Sequence, residues 1–199
     1  MVPVVLASQS TIRAELLRRV GVAFETRAAH VDEVSIRQAM DMDGAAPRDI
    51  ADKLAEFKSL KVSGKEPQSL VIGSDQVLAL DGRLFEKPTT PEAAVEHLRL
   101  LRGGTHELFS AAVISQAGQP QWRTIATARL AMKPLSDAFI DGYVKRNWPS
   151  IGDSVGAYKL EEEGPRLFHK ISGDHFTVLG LPLLPLCAYL ETRGVLSDG

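Results

Sequence analysis

The chain has 199 residues, of which 44% are hydrophobic and 24% are charged, as is typical of a globular protein with a packed core. Its formal net charge of −2 offers no basic surface for nucleic acid or an anionic membrane, so we expect neither as a partner. The single cysteine, Cys187, excludes an internal disulfide and a cysteine-based zinc site. The longest apolar run, 178–190, is interrupted by glycine and proline, and no basic segment of a signal peptide opens the chain. We therefore expect a cytoplasmic protein.

The predicted elements mix strands and helices along the chain. Apolar runs and turn signals predict strands over 2–7, 23–28, 70–72, 77–80, 83–85, 106–115, 122–132 and 167–171. Helical spacing of apolar residues predicts helices over 11–20, 47–62, roughly 91–102, 136–146 and 181–193. Residues 36–46 are expected to form a mobile polar connection. This order favours an α/β (mixed α+β) fold with a central mixed sheet, in one domain over 1–199 that can have two lobes and a cleft.

The stretch 71–88 carries the strongest local signals. Asp75 is expected at the end of a buried strand, and Asp81-Gly82 is typical of a type I′ hairpin turn. The hairpin would return the chain to Lys87, so that an acid and a lysine can lie near each other. Such a pair suits a metal-bound phosphate substrate. The alternative is an ordinary hairpin with a surface ion pair.

The first predicted helix offers a second phosphate-binding pattern. Ser10 is a good N-cap, and Arg13 stands in the first turn, where the positive end of the helix dipole disfavours a cation. A phosphate bound by Ser8, Ser10, Arg13 and the helix N-terminus would compensate that repulsion. The alternative is an Arg13 that points to solvent.

Further charged residues are candidates on weaker grounds. Asp32 and Glu33 could supply carboxylates to Mg²⁺, which prefers few carboxylates plus substrate oxygens. The lysines of the 47–62 helix lie off its expected apolar stripe of Ile50, Leu54 and Phe57. A solvated basic face is the default interpretation for those lysines.

Several motifs together resemble the Maf nucleotide pyrophosphatases, and they occur in that family's order and spacing over nearly the whole chain. They are LASQSTIRAELL at 6–17, VDE at 31–33, LAEFK at 54–58, VIGSDQV at 71–77, KP at 87–88, GTHELFS at 104–110, GAYKLE at 156–161 and GLPL at 180–183. The resemblance implies a fold similar to the inosine triphosphate pyrophosphatases. It also implies hydrolysis of a nucleoside triphosphate to a monophosphate and pyrophosphate with Mg²⁺ or Mn²⁺, and it makes a homodimer plausible.

The resemblance also assigns roles to individual residues. Asp75 matches the catalytic and metal-binding carboxylate, and Glu33 matches a metal-linked carboxylate that is likewise placed among the catalytic residues. The phosphate-binding cations are matched by Arg13, Lys58 and Lys87, of which Lys87 is also placed among the catalytic residues. Ser8 matches the polar residue of the opening loop.

The base pocket resembles one branch of the family more than another. Gln76 and Glu161 look like the 7-methyl-GTP pyrophosphatase branch, and a carboxylate at 161 can accept hydrogen bonds from guanine. Ile12 departs from that branch, which usually has Trp at this position. The Trp ring would stack on a cationic base. One alternative is a pyrimidine pyrophosphatase of the dTTP/UTP type. Another is a non-catalytic, nucleotide-binding regulator of cell division, since the family is also named for inhibition of septum formation.

Overall fold

The computed structural model describes residues 2–196, which form seven strands and seven α-helices within that range. The strands are β1 (Val4–Leu6), β2 (Glu25–Thr26), β3 (Leu70–Leu80), β4 (Arg83–Phe85), β5 (Thr105–Gln116), β6 (Gln119–Met132) and β7 (Phe168–Ser172). The helices are α1 (Thr11–Arg19), α2 (Glu33–Met42), α3 (Pro47–Ser63), α4 (Pro91–Leu101), α5 (Asp137–Asn147), α6 (His175–Val178) and α7 (Leu183–Thr192). The fold is a mixed α/β fold, as the sequence predicted.

The strands form one mixed sheet in the order β2-β1-β3-β5-β6-β7, and β4 pairs with β3 off this path. Strand β1 runs parallel to both β2 and β3, with Val5 opposite Val71. Strands β3 and β4 are antiparallel around Asp81-Gly82, where both residues have positive φ, at 49° and 82°. The predicted hairpin is therefore confirmed. A parallel edge joined to antiparallel hairpins makes the sheet mixed.

The described chain divides into two compact units, and strands β3, β5 and β6 contribute residues to both. The first unit comprises 2–76, 109–126 and 175–196, and the second comprises 77–108 and 127–174. Among residues 2–196, no helix is both long enough and apolar enough to cross a membrane.

Helix α3 packs unusually close to the sheet in the first unit. Val62 of this helix joins Val5 and Val71 in one buried cluster. A Cβ added at Gly73 would lie 2.1 Å from the carbonyl oxygen of Ala55 and 2.6 Å from the amide nitrogen of Ser59. Both atoms belong to the backbone of α3, so only glycine permits this approach of helix and strand.

Three sequence predictions need correction. Residues 36–46 are only in part a connection, because Glu33–Met42 is helical, the Asp32 carboxylate accepts from Ser35 N at 3.1 Å as an N-cap, and only 43–46 link this helix to α3. The strand predicted over 23–28 is only the two exposed residues of β2. Asp75 does not end a strand, because β3 is continuous over eleven residues through Gly73. The glycine marks close helix packing there rather than a break.

The face of α3 that packs on the sheet also differs from the predicted stripe. Ile50 and Leu54 are fully buried as expected, but Phe57 is 37% exposed. Its neighbour Lys58 is only 7% exposed. The default interpretation of Lys58 from the helix pattern, a solvated lysine, is therefore wrong, because Lys58 has a buried carboxylate partner on β3 that the helix pattern alone could not reveal.

The second unit contains a buried histidine among aromatic side chains. His106 of β5 is fully buried, its Nε2 lies 2.7 Å from the hydroxyl of Tyr158, and its ring centroid is 5.8 Å from that of Phe168. Within residues 2–196 its Nδ1 has no hydrogen-bond partner. Burial lowers the pKa of His106 to about 4, because a charged imidazolium would lose its hydration there.

This depressed pKa predicts a pH-dependent stability. The unfolded histidine binds a proton below about pH 6.5 while the folded one stays neutral down to about pH 4. The free energy of unfolding should therefore be fully retained above pH 6.5 and fall by about 3 kcal/mol by pH 4 from this group. Urea unfolding of the His106→Asn variant across that range should show a weaker dependence on pH.

The matched control is His169→Asn, at an exposed histidine of β7. It should keep the pH dependence of the wild-type protein. An unchanged slope in the His106→Asn variant would contradict the assignment of this titration to His106.

Candidate functional site

A cluster of two carboxylates and one lysine lies in the first unit, and two of its three residues are buried. The ammonium of Lys58 donates to Asp75 Oδ1 at 2.6 Å and lies 3.0 Å from Glu33 Oε1. Lys58 and Asp75 are 7% and 4% exposed, whereas the Glu33 side chain is 43% exposed. The predicted candidates Glu33, Lys58 and Asp75, which come from α2, α3 and β3, are therefore brought together.

The two carboxylate oxygens of Asp75 differ in their hydrogen bonding. Its Oδ1 accepts from Lys58, while its buried Oδ2 has no hydrogen-bond partner among residues 2–196. A buried polar atom without a partner costs free energy and needs an explanation, such as a bound ion or a catalytic role. Oδ2 is thus an atom that can accept a proton or bind a cation.

The carboxylates of this site fit a divalent cation that is also bound by the phosphates of a substrate. In the part of the chain that the structure describes, no group of three or more His, Cys, Asp or Glu side chains could hold a metal by itself. Mg²⁺ usually binds through one or two carboxylates plus substrate phosphates and water. Asp75 Oδ2 together with the partly exposed Glu33 carboxylate meets that requirement.

Arg13 is held in place by two backbone carbonyls and a hydroxyl. Its Nε donates to Gly180 O at 2.8 Å, and its Nη1 donates to Ser74 O at 2.9 Å and to Ser8 Oγ at 3.4 Å. Ser10 caps α1 by accepting from Arg13 N at 3.4 Å, as predicted. The alternative in which Arg13 points to solvent is wrong, because its guanidinium is bound to the protein.

The electrostatic surroundings of Arg13 act in opposite directions. Burial lowers the pKa of Arg13, while the negative charges of Asp75 and Glu33 raise it. An arginine remains protonated in either case. The site therefore presents two fixed cations, Arg13 and Lys58, next to two carboxylates.

Gln76, the neighbour of Asp75 on β3, is also tied to the protein. Its Nε2 donates to Ser110 Oγ at 3.0 Å and to the carbonyls of Thr177 and Val178 at 3.1 and 3.0 Å. Sequence reasoning assigned Gln76 to the base pocket and did not anticipate these contacts. It also missed Ser74 and Ser110 as polar residues of the site, although both fall inside motifs that carry the family resemblance.

The remaining predicted site residues are distributed as follows. Ile12 is a half-buried residue in the first turn of α1 in the first unit. Lys87 and Glu161 belong to the second unit, Lys87 two residues after β4 and Glu161 in the turn region that precedes the 3₁₀ helix Gly164–Leu167. Their roles toward a ligand stay predictions.

A mixed α/β protein with fixed cations, an uncommitted buried carboxylate oxygen and a second carboxylate has the features of a phosphate-binding enzyme. The family model described as "Maf-like protein" matches residues 3–193. The chain therefore belongs to the Maf-like protein family, as its motifs indicated.

Curated relatives cover nearly the whole chain. It is 53% identical over 196 residues to a nucleoside triphosphate pyrophosphatase of Ruegeria pomeroyi, with 98% of each chain covered. It is 47% identical over 197 residues to a protein of the same name from Caulobacter vibrioides, covering 99% of this chain and 98% of the relative. It is 45% identical over 193 residues to a 7-methyl-GTP pyrophosphatase of Rhizobium meliloti, with 97% of each covered.

Proposed function

We propose that this chain hydrolyses nucleoside triphosphates to nucleoside monophosphates and pyrophosphate, with 7-methyl-GTP as the preferred substrate. The observation that carries the proposal is the buried Lys58–Asp75 pair, whose second carboxylate oxygen has no partner among residues 2–196. The activity is also the one that several relatives at about half identity are named for.

The chemistry needs an acceptor for a proton and positive charge near the leaving group. A water oxygen attacks the α-phosphorus, the bond from that phosphorus to the α–β bridging oxygen breaks, and pyrophosphate leaves. Asp75 Oδ2 takes the proton from the attacking water, while Lys58 holds Oδ1 and fixes the orientation of the carboxylate. Arg13 and Lys58 compensate the negative charge that grows on the leaving oxygens, so no covalent nucleophile is required.

A divalent cation completes the proposed site. In the alternative role of Asp75, Oδ2 would not accept the proton but would hold Mg²⁺ or Mn²⁺ together with Glu33 and substrate phosphate oxygens, and the ion would supply charge neutralisation at the phosphates. The Asp32 carboxylate, the other candidate, is occupied by hydrogen bonds to the amide and the hydroxyl of Ser35. Glu33 is therefore the better of the two adjacent acids for this role.

The assignment of the base rests on the proposed contact of Glu161, on the family branch that Gln76 and Glu161 resemble, and on one named relative. Gln76 and Glu161 resemble the 7-methyl-GTP pyrophosphatase branch of the family, and the Rhizobium meliloti relative is named 7-methyl-GTP pyrophosphatase. The Glu161 carboxylate can accept from the N1–H and exocyclic amine of guanine, which a pyrimidine does not present in the same arrangement. Ile12 lacks the ring that would stack on a cationic base, so we expect a modest preference.

The proposal predicts a ranking of substrates. Pyrophosphate release should be measured with Mg²⁺ and with Mn²⁺ for 7-methyl-GTP, GTP, dTTP, UTP and CTP. We expect kcat/KM for 7-methyl-GTP to exceed that for the pyrimidine nucleotides by about tenfold or more, because a lost hydrogen bond to a charged group costs about that factor. In the Glu161→Gln variant, kcat/KM for 7-methyl-GTP should exceed that for the pyrimidine nucleotides by a smaller factor.

Two other results would be informative in different ways. A preference for dTTP or UTP would contradict the assigned base and leave the phosphate site intact. No pyrophosphate release from any nucleotide with either metal would contradict the enzyme activity and favour a nucleotide-binding regulator.

A further inference from the structure

One short segment connects several residues of the site. Thr177–Gly180, called the 177–180 segment below, contains the end of α6 and the two residues that follow it. Its carbonyl oxygens accept hydrogen bonds from side chains of α1, β3 and β5. All of these residues belong to the first unit.

The two amide hydrogens of Gln76 are taken by this segment and by Ser110. Its Nε2 has acceptors at 3.0 to 3.1 Å in Ser110 Oγ, Thr177 O and Val178 O. Ser110 Oγ in turn donates to Thr177 O at 2.7 Å. An amide nitrogen has only two hydrogens, so three acceptors leave it no donor for a nucleobase unless a bond is broken.

The other end of the same segment holds Arg13. Gly180 O accepts from Arg13 Nε at 2.8 Å and from Ser74 Oγ at 3.1 Å. Gly180 has φ of +92°, and a Cβ there would lie 3.3 Å from Arg13 Nη2 and 3.6 Å from Gln76 Oε1. Gln76 and Arg13 thus both lie against the 177–180 segment, and the positive φ and the close neighbours of Gly180 favour glycine at this position.

We propose that Gln76 is a positioning residue for Arg13, and that it acts by fixing the 177–180 segment whose Gly180 carbonyl orients the guanidinium. The functional part of this inference rests on the proposed hydrolysis of triphosphates. In this arrangement Gln76 affects every triphosphate alike, whatever its base. It is then distinct from Glu161, which retains the proposed role in base recognition.

The first test measures the segment itself and needs no substrate. In the Gln76→Leu variant, amide hydrogen exchange should accelerate about tenfold at Gly180 and Leu181, whose amides donate to Thr177 O and Phe176 O. The matched control is Gln116→Leu, because Gln116 is a half-buried glutamine of β5 whose side-chain oxygen accepts from Arg193. The control should leave exchange at these amides unchanged.

The second test uses ligands with different bases and one with no base. Inorganic tripolyphosphate binding should weaken about tenfold in Gln76→Leu, and kcat/KM for 7-methyl-GTP, GTP and UTP should fall by a common factor of about ten, because a displaced guanidinium no longer meets the phosphates. Ser110→Ala is a second variant that removes one hydroxyl of the network. It should shift the same quantities in the same direction and serves if Gln76→Leu does not fold.

A double-mutant cycle tests whether the effect passes through Arg13. In an Arg13→Lys background, Gln76→Leu should weaken tripolyphosphate binding by clearly less than in the wild-type background. Equal, additive losses in both backgrounds would overturn the proposal that Gln76 acts through Arg13.

The remaining outcomes separate the inference from the proposed function. A loss that depends on the base, with tripolyphosphate binding unchanged, would show that Gln76 reads the base and would overturn the inference. Unchanged hydrogen exchange would also overturn it. If the wild-type protein binds tripolyphosphate but cleaves no nucleotide, the proposed hydrolysis fails, and the exchange and binding measurements still decide the role of Gln76. If it binds no tripolyphosphate, the phosphate-binding role of Arg13 fails with the inference.

Discussion

Replacing Asp75 with asparagine should lower the rate of pyrophosphate release by about 10²- to 10⁴-fold, the usual contribution of a general acid or base. Asparagine keeps the shape of the side chain and an acceptor for Lys58, but it removes the carboxylate oxygen that accepts the proton or, in the alternative role, binds the cation. Binding of Mn²⁺ with inorganic tripolyphosphate, followed by electron paramagnetic resonance, should weaken as well. This second measurement tests cation binding separately from turnover.

The matched control for this variant is Asp52→Asn on α3. Asp52 also pairs with a cation, Arg123, and also has a buried oxygen without a hydrogen-bond partner among residues 2–196, but it is not part of the proposed site. Its replacement should leave turnover within about twofold of wild type, because its cation partner is Arg123 and not a residue of the proposed site. An Asp75→Asn variant that stays folded and turns over at the wild-type rate would exclude Asp75 from the chemistry.

Replacing Gly73 with alanine should cause the largest loss of stability of any single change discussed, about 3 kcal/mol or more. The new methyl group would meet the backbone of α3 at Ala55 and Ser59 at less than 3 Å, and backbone atoms cannot rotate away. The helix must shift, and Lys58, which follows Ala55 by three residues, must shift with it. We expect the melting temperature to fall by about 6–12 °C.

Gly64→Ala is the control for the loss of a glycine near the same helix. A Cβ at Gly64 would have its nearest neighbour at 3.6 Å, and this residue has an ordinary φ of −63°. The free energy of unfolding should change by less than about 0.5 kcal/mol. Equal melting temperatures for Gly73→Ala and Gly64→Ala would contradict the close packing of α3 on β3.

The sequence predicts most elements of the fold because their local signals are strong. The apolar pattern of α3, the Asp81-Gly82 turn and the Ser136 cap of α5 all lie where local propensity and tertiary structure agree. Helix α2 was missed although its apolar residues follow a helical spacing, and none of its ten residues is buried in the structure. Its Asp32 cap was the available signal.

The charged cluster was predicted in composition but not in geometry. Motifs assign Asp75, Lys58 and Glu33 to one site, yet only tertiary packing shows that Lys58 is buried between the two carboxylates. The contacts of the 177–180 segment depend on residues more than 60 positions apart in sequence, such as Ser110 and Thr177, which are 67 apart. No local pattern encodes a pairing of that range.

The two carboxylate partners of Lys58 belong to elements that differ in burial. Asp75 lies on a buried strand, whereas Glu33 begins α2, which buries none of its residues completely and exposes Val34 and Met42 by 53% and 88%. Moving α2 therefore costs little apolar burial, and helix shifts of this kind occur in microseconds to milliseconds. We expect an incoming phosphate to replace the Glu33 carboxylate beside the ammonium while Asp75 stays bound. Lys58 could then exchange one anionic partner for another without ever being left unpaired in the protein interior.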